Sequence, residues 1–228
     1  MEKLVVFSGA GMSAESGIST FRDAGGLWEK YNIEEVATPN AFLKNPDLVQ
    51  RFYNERRKQI IETSPNSAHE LIAGLESKFS VTVVTQNIDD LHERAGSSNV
   101  LHLHGNIRFA KSSGPNPEKK YYRLKGWKIT PEDRCDDGFP LRPHVVWFGE
   151  EVPMLEKAAE IIRTADYLLV IGTSLNVYPA AGLIHLAPRH CQKVIIDPSA
   201  DTLNIPNDFI AIKEIASVGL KKWINRKE

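Results

Sequence analysis

The chain has 228 residues, 42% hydrophobic and 25% charged, an ordinary globular balance that excludes a fibrous or disordered polypeptide. Lys and Arg total 28 against 29 Asp and Glu, so the net charge of -1 carries none of the basic excess with which nucleic-acid binders track phosphates. Two cysteines, Cys135 and Cys191, cannot build a four-thiolate zinc site or a multi-bridge framework, and a reducing compartment is the simplest reading.

Met1-Glu2-Lys3 runs straight into the short apolar run Leu4 to Phe7, well short of a signal-peptide core. No apolar stretch approaches the roughly 20 residues that span a bilayer. A soluble, cytoplasmic protein with no nucleic-acid or membrane partner is expected.

Apolar runs bounded by turn residues predict strands at Leu4–Phe7, Val81–Thr85, Val100–His104, Val145–Phe148, Tyr167–Ile171 and Val194–Ile196. Helical patterns cover Pro46–Glu62, Ser67–Ser77, Asp89–Ala95 closed by Gly96, Met154–Thr164, Pro179–Leu186 and Glu214–Asn225. The alternation predicts an α/β fold: a Rossmann-like parallel sheet with helices on both faces.

One stretch breaks this rhythm. Residues 106–144 are rich in Lys, Pro, Gly and Asp and read as a smaller inserted module, joined in space by residues 23–63. The main domain then comprises residues 1–22, 64–105 and 145–228.

Candidate site residues cluster at strand ends. Strand Leu4–Phe7 enters Gly9-Ala10-Gly11-Met12-Ser13-Ala14, where backbone amides could approach a pyrophosphate. The third fingerprint glycine is replaced by Ala14, and a plain tight turn remains open. Arg22, thirteen residues after Gly9, could neutralise phosphates. Thr85-Gln86-Asn87-Ile88-Asp89 ends a second strand, where amide and carboxylate side chains can recognise a carboxamide or sugar hydroxyls, and where Asn87 or Asp89 could instead cap a helix. His102 and His104 share a strand face; a metal pair is conceivable, but one histidine acting as a base is favoured.

Together GAGMSAESGISTFRD, TQNIDDLH, HLHG, RPHVVWFGE and GTSLNVYPA resemble the sirtuin family of NAD-dependent protein lysine deacylases, in the family's order over nearly the whole chain. The resemblance implies that NAD is held by Gly9, Ala10, Gly11, Phe21, Arg22, Asp23, Gln86, Asn87, Asp89, Gly172, Thr173, Ser174, Asp197 and Ala216. It makes the main domain the NAD-binding domain and His104, Asn87 and Asp89 the catalytic residues. It assigns Val145, Trp147, Phe148 and Gly149 to a peptide-binding strand, with the aromatic pair also readable as sheet core. The implied reaction transfers the acyl group of an acylated-lysine protein substrate to ADP-ribose, releasing nicotinamide, with His104 as base. ADP-ribosyl transfer, a non-catalytic NAD sensor and a dehydrogenase are the competing readings, and a monomer is expected.

Two departures stand out. Most sirtuins carry two Cys-x-x-Cys pairs in the small module, but here Cys135 stands without a partner, so no zinc is expected and the module should be held by packing through Tyr121, Tyr122, Trp127 and Phe139. Asp197 replaces a common asparagine and can still accept from ribose hydroxyls.

Within helix Pro46–Glu62, Tyr53 and Arg56 are spaced i, i+3 and share one face. They resemble the Tyr-x-x-Arg signature of desuccinylase-type sirtuins, which holds an acyl carboxylate, with Ala37 as the small residue that widens the pocket. This implies removal of acetyl and, preferentially, succinyl or malonyl groups. Read from the residues alone, Tyr53 is core and Arg56 a solvated charge.

Overall fold

The computed structural model describes residues 1–20 and 31–227. Strand β1 (Lys3–Ser8) lies in the middle of a parallel sheet because its apolar run has no polar face to turn to water. Val5 and Phe7 point into one core, while Leu4 and Val6 point into the other. On one side of β1 stand β2 (Ser80–Thr85) and then β3 (Val100–His102); on the other stand β7 (Tyr167–Ile171), β8 (Gln192–Ile196) and β9 (Phe209–Ile212). Leu4 is in register with Val81 and Tyr167. The order β3-β2-β1-β7-β8-β9 reverses direction between β1 and β7, the place where doubly wound sheets open a crevice for ligands.

The remaining strands β4 (Gly105–Ser112), β5 (Tyr121–Arg123) and β6 (Leu141–Val145) form a separate antiparallel sheet in the order β5-β4-β6. In chain order the helices are α1 (Gly11–Ala14), α2 (Ile33–Val36), α3 (Pro39–Lys44), α4 (Pro46–Glu62), α5 (Ser67–Gly74), α6 (Leu91–Arg94), α7 (Leu155–Arg163) and α8 (Ala216–Asn225). Helix α7 packs Ala158, Ala159 and Ile162 on one face of the parallel sheet. The other face is covered by Ala68 and Ile72 of α5 and by Leu220 and Trp223 of α8.

Helix α4 starts where its sequence says it should. Asn45 accepts from the Leu48 N–H at 3.1 Å and Pro46 opens the first turn, where its missing N–H costs nothing.

Several expectations need correction. The strand expected at Val145–Phe148 is Leu141–Val145, and it joins the small antiparallel sheet rather than the parallel one. Within it Pro143 pairs with Ala110 at the end of a register shift, and Arg142 is buried. The strand expected to reach His104 ends at His102. Gly105, at φ +81°, turns the chain into the second sheet; a Cβ there would lie 2.2 Å from the His144 carbonyl oxygen. The segment Ala180–Leu186 winds as a 3-10 helix, pressing Ala180, Ala181, Leu183 and Ile184 onto the sheet.

The small module is not held by the four expected aromatics. Trp127 and Phe139 are 41% and 43% exposed, Tyr121 is also exposed, and only Tyr122 packs against the module's core of Ala110, Ile129, Cys135 and Leu141. Two polar residues of α4 grip it instead. The Asn54 amide donates to the Ile129 carbonyl and accepts from the Ile129 N–H, both at 2.9 Å. Arg57, fully buried, donates to the carbonyls of Ile107 at 2.6 Å and Trp127 at 2.8 Å.

Candidate active site

The turns that follow β1 and β7 touch. The Gly11 N–H donates to the Gly172 carbonyl at 2.8 Å, and Gly172 takes φ +60°. A Cβ on Gly172 would stand 2.4 Å from the Met12 nitrogen, one on Gly11 2.8 Å from the Gly172 Cα, and one on Gly9 2.7 Å from the Thr173 Cβ. Glycine is therefore required for this backbone approach itself. The result is a backbone-lined cradle at the sheet's switch point, the place where doubly wound sheets bind ligands.

Behind the cradle lies a buried polar network. The Asn87 amide donates to the Gly9 carbonyl at 3.0 Å and to the Ser13 hydroxyl at 3.1 Å. The Ser13 hydroxyl in turn donates a hydrogen bond to one Asp89 oxygen at 3.0 Å. The other Asp89 oxygen accepts from the Leu91 N–H, the first of α6, at 3.2 Å. Burial raises the Asp89 pKa, against the two hydrogen bonds and the positive charges of His102 and Arg56. Gln86 reaches across to the Thr173 hydroxyl at 3.0 Å and links the β2 and β7 ends.

The two histidines of the HLHG segment do different things. His104 donates Nδ1–H to the Gln86 carbonyl at 3.0 Å, which leaves Nε2 with its lone pair. Burial lowers its pKa, the hydrogen bond opposing, which favours the neutral ring. His102 contacts the Asn87 carbonyl at 2.9 Å and the Glu93 carboxylate at 2.8 Å. Among the described residues no group of three or more His, Cys, Asp or Glu is arranged to hold a metal ion.

A cavity of about 510 Å³ runs from the cradle to the inner face of α4. Every site residue expected from the sequence that lies within the described part of the chain lines it. Gly9, Ala10, Gly11, Gly172, Thr173 and Ser174 line it at the two glycine turns, and Asp197 and Ala216 line it as well. One Asp197 oxygen accepts from the Ser199 N–H at 2.8 Å. Gln86, Asn87, Asp89 and His104 lie along its middle, and Ala37, Tyr53 and Arg56 close the far end. Val145, Trp147, Phe148 and Gly149 form a flank. Of the aromatic pair, Trp147 is 2% exposed and Phe148 44%. Phe21, Arg22 and Asp23 lie outside the described residues.

The profile of the Sir2 family matches residues 9–179, which takes in both glycine turns and all of the small module. The chain belongs to the Sir2 family. It is 51% identical over 225 residues to an NAD-dependent protein deacylase of Bacteroides thetaiotaomicron, covering 97% of this chain and 96% of that one. Among solved structures, a mutant Sir2 homologue in complex with ADP-ribose superposes with a TM-score of 0.87 at 38% identity, covering 99% of this chain and 92% of that one. A Sir2 homologue bound to NAD matches equally well, with a TM-score of 0.87 at 40% identity over 98% of this chain and 88% of that one. The glycine turns of this chain stand at the sheet's switch point, where the absence of Cβ atoms lets backbone amides approach such a dinucleotide.

This sirtuin's site also contains residues that sequence reasoning passed over. Ser13 is buried between Asn87 and Asp89, although nothing but its place inside the glycine segment marks it. Glu15 accepts from the Ser217 N–H at 3.0 Å and from its hydroxyl, placing a carboxylate at the amino end of α8. Two residues that the sequence did single out meet in a way it does not show: Trp147 donates its indole N–H to the Tyr53 hydroxyl at 3.1 Å, a pairing across 94 residues of sequence.

Proposed function

We propose that this protein, an NAD-dependent protein deacylase, removes succinyl and malonyl groups from lysine in preference to acetyl, yielding nicotinamide and 2'-O-acyl-ADP-ribose. The observation that carries the acyl preference is the far end of the cavity. Arg56 is 6% exposed there, on the same α4 face as Tyr53, which is 4% exposed. Burial lowers the Arg56 pKa to about 10, partly offset by Asp89 and Tyr53, so the guanidinium is charged at neutral pH. A cation kept from water favours a carboxylate partner at the tip of the acyl chain, and Ala37 leaves room for it.

Bound NAD supplies an electrophilic ribose carbon with nicotinamide as its leaving group. The glycine turns hold the pyrophosphate, and Gln86, Asn87 and Asp89 orient the ribose end. Segment 146–148, anchored by the Val146 N–H on the His104 carbonyl at 2.9 Å and the Phe148 N–H on the Ala37 carbonyl at 3.0 Å, is the proposed docking edge for the peptide. With NAD bound, the acyl oxygen of the substrate would displace nicotinamide at that carbon. His104 Nε2 would then take a proton from a ribose hydroxyl whose oxygen attacks the acyl carbon, and water would complete release of the free lysine amine, leaving the acyl group on ADP-ribose.

Nicotinamide release that depends on an acylated peptide tests the activity. The acyl preference is tested by Arg56→Met. Desuccinylation should fall at least about tenfold more than deacetylation, since a hydrogen bond to a charged group contributes roughly 1.5–3 kcal/mol. Equal losses on both substrates would make Arg56 structural.

A further inference from the structure

The Tyr53 hydroxyl has a fixed hydrogen-bond direction. An indole N–H only donates, so at 3.1 Å from Trp147 Nε1 the phenol oxygen must accept, and its own proton points elsewhere. Burial pushes the Tyr53 pKa well above the usual phenol range, so that proton is retained.

Trp147 is itself held on three sides. The Arg142 guanidinium lies 3.7 Å above the indole ring, and Phe42 packs against it with ring centroids 5.3 Å apart. Glu150 binds Arg142 through both oxygens, at 2.7 and 2.9 Å, and accepts from the Trp147 backbone N–H at 2.8 Å. A side chain so clamped cannot turn its N–H away from Tyr53.

We propose that Trp147 is a positioning residue of the acyl pocket: its indole N–H, locked by Arg142 and Glu150, orients the Tyr53 hydroxyl so that it donates to the acyl carboxylate beside Arg56. The proposal rests on the acyl-acid reading above and assigns a role to a side chain that would otherwise be sheet core. Acyl selectivity then depends on Trp147 through the Tyr53 hydroxyl and not through a hydrogen bond of its own to the carboxylate. Acetyl-lysine presents no carboxylate, so the orientation of the Tyr53 proton matters only for the acidic substrates.

The test is a double-mutant cycle on the ratio of kcat/KM for succinyl-lysine to that for acetyl-lysine in one peptide at saturating NAD. Trp147→Phe should lower this ratio about five- to tenfold, through the KM for the succinyl peptide. In a Tyr53→Phe background the same change should alter the ratio less than about twofold, because the hydroxyl it acts through is gone. An equal loss on both peptides, or an undiminished effect in the Tyr53→Phe background, would make Trp147 a packing residue and overturn the proposal while the acyl-acid reading stood. If Tyr53→Phe and Arg56→Met both leave the ratio unchanged, that reading falls and takes the proposal with it. Should Trp147→Phe fail to fold, 3-benzothienylalanine at position 147 retains the bicyclic shape and removes only the N–H. It should lower the ratio to the same extent, and an unchanged ratio would refute the role of the N–H.

Discussion

His102 bridges the Glu93 carboxylate, 2.8 Å from Nε2, and the Asn87 carbonyl, 2.9 Å from Nδ1. Both of these partners are acceptors and favour a ring protonated at both nitrogens, directly behind the Asn87–Asp89 segment, while the Asn106 amide nitrogen lies 3.1 Å from the same Nε2.

That pair makes stability depend on pH in a definite direction. Burial alone would lower the His102 pKa, but the Glu93 carboxylate, the Asn87 carbonyl and the Asp89 charge together raise it. A raised histidine pKa contributes stability that is complete below the unfolded value of about 6.5 and lost as pH rises through the folded value. The lowered pKa of Glu93 contributes above its unfolded value of about 4.3 and is lost on further acidification. Glu93→Gln should therefore lower the melting temperature more at pH 6 than at pH 9. Equal shifts at the two pH values would show that His102 is neutral.

His104→Ala should fold and bind NAD normally while losing about 10²–10⁴-fold in deacylation, because only the proton transfer is removed. Calorimetric NAD titration beside a deacylation assay separates the two. In the wild type, kcat/KM should fall on the acid side with an apparent pKa below about 6.5, since burial lowers that of His104.

Gly172→Ala puts a Cβ 2.4 Å from the Met12 nitrogen at a residue with φ +60°. The chain must then either open the contact between the two glycine turns or carry left-handed strain of about 1–2 kcal/mol. NAD affinity should drop at least about tenfold with a smaller loss in thermal stability. An unaltered dissociation constant would show that the cradle does not hold the dinucleotide.

The module gripped by Asn54 and Arg57 should need no zinc. Metal analysis of the purified protein should find no stoichiometric zinc, and chelators should leave melting temperature and activity unchanged. Arg57→Met should instead cost about 3 kcal/mol by stranding the carbonyls of Ile107 and Trp127, which lowers the melting temperature by roughly 6–12 °C. One zinc per chain would mean that histidine or carboxylate ligands do what the cysteines do not.

The sequence by itself determined the parallel sheet. Leu4–Phe7, Val81–Thr85, Tyr167–Ile171 and Val194–Ile196 are continuous apolar runs, which only a strand covered on both faces can bury, and each stands in the sheet where its pattern puts it. Helix α4 was likewise legible in Asn45-Pro46 and its periodicity. The glycine turns were visible as spacing, but their chemical meaning came from the order of five motifs together and not from any one of them.

Strand β9 went unread because Phe209–Ile212 is short and half open to solvent at the sheet edge. Segment Leu141–Val145 hid its strand behind Pro143 and a charge, and only contact with Glu150 and Trp147 shows why Arg142 can be buried. Asn54 and Arg57 look like the polar stripe of a solvated helix, yet they serve carbonyls 50 to 75 residues away in the chain. His102 and His104, two residues apart, have pKa values shifted in opposite directions because one meets a carboxylate and the other a single carbonyl. Local pattern reports which face of an element is apolar. Which polar group finds a partner, and so which charge can be buried, is decided by distant segments that only the folded chain brings together.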